Sequence, residues 1–391
     1  MKLYTCFIPL FWMQTISVSQ RANSSVYLLM KFGIAISTST LLALFISCNI
    51  SEPKKTAVQE ASTSDSGATN ALPVENSIDF ESTKIIRQTY TTDRNGTAMR
   101  QSTNTESKLL GTYEYGTKLD VIEETADWLG VRERITRETN QNGTNVETTQ
   151  WEKVYVLKKQ TGSLEEIGLV SADLNIITLL SVGEKSESFE KGKPLIEYLK
   201  LEMIDNKLYE SKRKNAVNYL LKDTTITKKK NGIIELKAQN KTAIYIDKPD
   251  AEEDIQLFKY VGEVDFLNQY LITGSYWEST DFRFIDKTSG DESIIFGDFP
   301  FISEDKKHII CIYANPYEMT ADLELYSISS NKKINSIMQA SFKNWMPNNE
   351  SNRIFWATDG YLYLAVNHVN SYWNTNGSLN DHFQYIRIKI I

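Results

Sequence analysis

The feature that most constrains this chain is a boundary at Cys48. Residues 32–47 are apolar or small throughout, with Lys31 as the single charge directly after Met30. A membrane span takes about 20 apolar residues to cross about 30 Å of hydrocarbon, so this run of 16 is short for one. It has instead the charged start and apolar centre of an export leader, and it ends on a small residue before a cysteine. The residues before Cys48 address the chain, and those after it must supply the fold.

The residues at the boundary carry a resemblance. Ile46 and Ser47 before Cys48, with Leu44 just upstream, resemble a bacterial lipoprotein signal peptide, although Phe45 stands where that family usually has Leu. The resemblance implies a signal peptide over residues 30–47, lipidation of Cys48, and a protein held in the cell envelope by a lipid anchor in the membrane, facing the periplasm or the exterior. Residues 1–29 carry a second apolar patch at 7–13 that is also too short to span. They are expected to lie upstream of a true start at Met30.

Of three cysteines, Cys6 precedes that expected start, Cys48 is the lipidation candidate and Cys311 remains. Neither an intramolecular disulfide nor a cysteine metal site is then expected. The net charge of −7 argues against nucleic acid as a partner, because such binding rests on basic residues neutralising phosphates. Residues 48–79 are rich in Ser, Thr, Ala, Asn and Glu and hold no aromatic residue before Phe80. Such a segment buries too little apolar area to offset its ordering entropy. It is expected to be a flexible tether reaching on the order of 30 Å.

From residue 80 to 162 the pattern turns to strands. Leu119 and Val121, then Leu129 and Val131, alternate with polar residues as half-buried strands do, with glycine turns between. Met99-Arg100, the polar loop 101–108, Leu110-Gly111, Gly116-Thr117-Lys118 and Trp128 to Val131 occur in the order and spacing of the bacterial SH3-like (SH3b) domain, which this stretch resembles. The family usually continues within a few residues to Gly-Trp/Tyr-Val. Here the nearest counterpart is Val154-Tyr155-Val156, reached after an insertion at 133–150 whose Asn142-Gly143 is a strong hairpin signal. The expectation is a small barrel with two strands extended into a projecting polar ribbon.

The family resemblance implies binding of peptidoglycan or another cell-wall component, or of an envelope protein partner, without catalysis. Tyr113, Tyr115, Trp128, Trp151 and Tyr155 offer flat apolar faces with polar tips, suited to a peptide or sugar groove. Tyr113 and Tyr115 stand two apart before Gly116 and so are expected to share one partly exposed face. The alternative for Trp128 and Tyr155 is the core.

Residues 163–391 read as a larger antiparallel β domain, so the fold class expected is all-β. Residues 233–236 and 242–246 read as a hairpin, and 195–221 as strands ending at Asp205-Asn206. Phe284 to Leu325 is 41 residues and Ile309 to Phe355 is 46, a spacing in the range of four-stranded propeller blades. Residues 300–310 resemble the Pro-x-x-Ser-Pro-Asp-Gly-Lys turn of WD-type and TolB-like propellers, with Glu304 and Lys306 in place of Pro and Gly. At about 45 residues per blade the region holds about five.

Nothing points to a cofactor or a metal: His308, His368 and His382 have no metal-type spacing, and no nucleophile elbow or phosphate loop occurs. The leading expectation is a non-enzymatic envelope lipoprotein whose SH3-like part binds and whose C-terminal part is an interaction platform. Two alternatives stay open. One is an envelope hydrolase or carbohydrate-active enzyme targeted by the SH3-like part, and the other is a ligand sensor using a propeller's central mouth.

Overall fold

The computed structural model describes residues 76–391, apart from 142–143, 223–228, 251–253 and 351–352. The leader, Cys48, almost all of the expected tether and the Asn142-Gly143 turn lie outside the described residues. Within them the class is all-β, with antiparallel sheets and one α-helix.

Strands β1 (Arg87–Thr91), β2 (Thr97–Arg100), β3 (Leu109–Tyr113), β4 (Lys118–Glu124), β5 (Trp128–Gln141), β6 (Thr144–Leu157) and β7 (Thr161–Gly162) form one sheet. Its order is β3-β2-β6-β5-β4-β1-β7. The period-two residues Leu119, Val121, Leu129, Val131, Val154 and Val156 bury one face together with Met99 and Tyr113. The expected barrel does not close, because the path ends at β3 on one side and β7 on the other and these edges do not pair.

β5 and β6 pair without a register break from Trp128 opposite Leu157 to Gln141 opposite Thr144. Other strands accompany only their base, so the pair runs on as a two-stranded ribbon of roughly 30 Å. This is the expected extension. The tether ends earlier than its composition suggests: Ile78 N donates to Trp151 O at 2.9 Å and Lys153 N to Asn76 O at 2.8 Å, which seats residues 76–78 beside the ribbon base.

The rest of the chain contains β8 (Ile176–Val182), β9 (Lys185–Pro194), β10 (Leu199–Ile204), α1 (Asn206–Arg213), β11 (Ala216–Val217), β12 (Ile233–Lys237) and β13 (Thr242–Ile246). Next come β14 (Leu257–Val264), β15 (Gln269–Ser275), β16 (Thr280–Asp286), β17 (Glu292–Phe296), β18 (Phe301–Ile302), β19 (His308–Asn315), β20 (Thr320–Ile328) and β21 (Ile334–Phe342). The last four are β22 (Trp345–Pro347), β23 (Ile354–Ala357), β24 (Leu362–His368) and β25 (Gln384–Ile390).

These strands make layers. The hairpin β12-β13 packs through Ile234, Leu236 and Tyr245 on the sheet β14-β15-β16-β17. That sheet's other face, with Leu271, Phe284 and Phe296, meets Ile309, Cys311 and Tyr326 of the sheet β18-β19-β20-β21-β8-β9. The largest core lies between this third layer and β10-β25-β24-β23-β11, and it is centred on Trp345, whose indole N–H donates to Leu174 O at 2.9 Å. Tyr209 of α1 is buried against Phe355 and Tyr363 beyond it.

Five blades are therefore not formed. The segment before residue 247 lends β8 and β9 to the third layer and β10 and β11 to the fourth, leaving one separate hairpin. The expected strands at 195–221 are β10 followed by α1, a helix started by Asp205, whose carboxylate accepts from Leu208 N at 2.7 Å as an N-cap does.

Candidate functional site

The five candidate aromatics do not line one groove. Tyr113 sits in the N-terminal core at 7 % exposure and donates its hydroxyl to Glu133 Oε2 at 2.7 Å. Burial, with the Glu133 carboxylate beside it, pushes its phenol pKa up. Trp128 and Tyr155 are buried as well, in agreement with the core alternative. Trp151 is half-buried and lies against Phe80, with ring centroids 4.5 Å apart, while Arg132 covers the Phe80 ring. Because β3 ends at Tyr113, the backbone turns before Tyr115, so the two tyrosines share no exposed face.

Tyr115 instead joins the N-terminal sheet to the C-terminal layers. Its hydroxyl accepts from Gly168 N at 3.0 Å, and its carbonyl accepts from Asn370 Nδ2 at 2.7 Å. The Arg94 guanidinium stacks 4.2 Å from the ring centroid, and the His368 ring meets it edge-on at 5.2 Å. Arg94 also pairs with Asp173 at 2.9 Å. Gly116, at φ +78°, lets the turn approach: a Cβ there would lie 2.7 Å from Asn370 Cβ. His368 is itself buried, and its Nδ1 accepts from Asn370 N at 3.2 Å. Desolvation holds its pKa down at about 4; Asp173 opposes the shift and Arg94 adds to it.

At the ribbon base Glu152 is fully buried, bound by Arg137 through both carboxylate oxygens and by Gln150 Nε2 at 2.9 Å. Burial works to raise its pKa, but these donors outweigh it and keep the carboxylate ionised. Farther out, Arg134, Thr136, Thr148 and Thr149 are exposed, and the Thr136 and Thr149 hydroxyls are hydrogen-bonded at 2.9 Å. The described part of the ribbon thus has an ion-paired foot with exposed polar residues above it.

Several carboxylates elsewhere are bridged by cations. Arg283 binds both Asp281 and Glu292, and Lys287 binds Glu263 and Asp265. Asp298 differs: burial raises its pKa, and its carboxylate accepts from the neutral amide of Asn349 at 2.6 Å. Its backbone N–H donates to the Cys311 thiol at 3.0 Å, and Glu324 accepts from neighbouring Gly297 N at 3.3 Å. Where inner strands meet, residues 217–220 fill the space between Trp356, Val264 and Ile302 and leave a cavity of about 30 Å³. Small-molecule sites run to roughly 300 Å³ or more, so this one has room for little beyond a water.

Arg94 and Asn370 went unnoticed in the sequence and His368 was weighed only as a metal ligand, since Asn370 is 255 positions from Tyr115 and no local spacing links them. No family model, curated protein or solved structure matches the chain.

Proposed function

We propose that this chain is a non-enzymatic lipoprotein of the bacterial cell envelope, anchored through Cys48. Its SH3-like part would contact cell-wall material or an envelope protein, and its layered β region would serve as an interaction platform. The observation that carries the reading is the leader-like run ending at Ser47-Cys48, followed by a polar stretch and a β-rich body. The ribbon supports a contact role better than the aromatics do, because three of those rings are used inside the core while the ribbon carries exposed polar residues at Arg134, Thr136, Thr148 and Thr149.

One observation bears on the hydrolase alternative: burial raises the pKa of Asp298, and Asp298 and Glu324 are both neighbours of Cys311, while glycosidases work with a pair of carboxyl groups. Sedimentation with purified cell-wall sacculi separates the readings. The mature chain should co-sediment, and a variant with residues 138–147 replaced by a two-residue turn, which keeps Arg137 on Glu152, should stay in solution at unchanged stability. Release of soluble fragments from the sacculi, abolished by Asp298→Asn, would instead establish the enzyme.

A further inference from the structure

Three chain connections meet at one end of the layered region. Phe282 at the start of β16 pairs with Phe296, and the next residue, Gly297, abuts the Tyr313 ring near the end of β19. Ala314 then packs with Val369, Tyr372, Trp373 and Leu379 of the β24-β25 connection. The turn at 276–279, the turn at 316–319 and the connection 369–383 therefore share an end, each from a different layer.

This end is unusual in what it exposes. Trp277 is 69 % and Tyr317 80 % exposed, and among the described residues no other aromatic ring stands so far into solvent; Met319 lies beside Tyr317, and Trp373 is half-buried. An exposed glutamate follows each ring, Glu278 and Glu318, and Asp381 adds a third carboxylate. The three segments contain no Lys or Arg. Large exposed rings in projecting turns cost solubility and do nothing for the core, which makes them markers of a recognition surface.

We propose that this end docks a basic, extended peptide segment of a partner protein, with Trp277 and Tyr317 as its anchors. The chemistry favours that occupant over the others. Lys and Arg side chains lie on the faces of Trp and Tyr by cation–π attraction and pair with the adjoining carboxylates. A neutral glycan would stack on the rings but leave those carboxylates desolvated without partners. An anionic lipid surface would be repelled by them. The proposal deepens the reading of the C-terminal region as an interaction platform and rests on it, but not on the anchor at Cys48.

The test is fluorescence anisotropy on the purified mature chain, using a labelled dodecapeptide of repeating Gly-Lys-Ser-Arg and its Gly-Glu-Ser-Gln counterpart. The basic peptide binds, and about 1 M salt weakens it. Trp277→Ala with Tyr317→Ala weakens it by at least about tenfold, without moving the melting temperature, because both rings are solvated. Glu278→Gln with Glu318→Gln weakens it and flattens its salt dependence. Glu187→Gln with Glu190→Gln, on the exposed edge strand β9, leaves it unchanged. Equal binding by the ring variant overturns the proposal. So does ring-dependent binding of chitotriose, or of vesicles of phosphatidylglycerol, with none of the basic peptide. An unlipidated Cys48 together with intact ring-dependent binding would sink the envelope reading and leave this surface standing.

Discussion

At the scale of single residues, the aromatic side chains show how one residue type divides between packing and exposure. Tyr113 keeps its hydroxyl on Glu133 inside the N-terminal core, so Tyr113→Phe should cost about 1–2 kcal/mol in a urea melt. A change near zero would mean that the hydroxyl faces water. His368 supplies a pH dependence. Its pKa falls from the ordinary 6.5 to about 4 because the ring is buried, and it faces Tyr115, Arg94 and Asp173. Between those two values the unfolded chain binds more protons than the folded one, so stability drops as pH falls from 6.5 and the loss is complete below 4, on the order of 3 kcal/mol. His368→Gln should remove that slope from stability measured against pH, and an unchanged slope would assign it to other groups. Parts of this were legible in advance. Lys306 stands at the glycine position of the propeller-type turn and adopts φ +61°, while Ser303 and Asp305 make the turn's hydrogen bonds. The burial of Tyr113 was not, since an exposed and a buried tyrosine at a strand end look alike in sequence.

At the scale of elements, period-two alternation identified the strands with paired apolar residues, such as Leu119 with Val121, and Asn142-Gly143 marked the ribbon whose strands pair to Gln141 and Thr144. The hairpin of β12 and β13 was equally clear. α1 was not, because its eight residues start only after the Asp205 cap and hold just two apolar positions, Leu208 and Tyr209. Of the two spacings, one relates equivalent strands and the other does not. Phe284 and Leu325 both lie on the third strand of their meanders, whereas Ile309 is on a second strand and Phe355 on the fourth layer's β23. Sheet membership was the least legible property: Leu199 pairs with Ile390, and Ile177 with Phe342, and such long-range pairing leaves no local trace.

At the scale of the molecule, Tyr115, Gly116 and Asn370 fasten the N-terminal sheet to the layers behind it. Gly116→Ala should cost at least about 2 kcal/mol, from the left-handed backbone and the collision with Asn370 together. Gly183→Ala is the control, since Gly183 has a similar φ of +60° and nothing within 4 Å of its added Cβ, and it should lose only about 1 kcal/mol. Equal losses would mean that Asn370 plays no part in the fastening. Anchorage through Cys48, on which the functional reading rests, is tested most directly by mass spectrometry of the mature N-terminus from the membrane fraction. A lipid-anchored chain yields a peptide beginning at Cys48 and carrying two or three acyl chains. An intact, unmodified peptide running from Ser47 through Cys48 would contradict it.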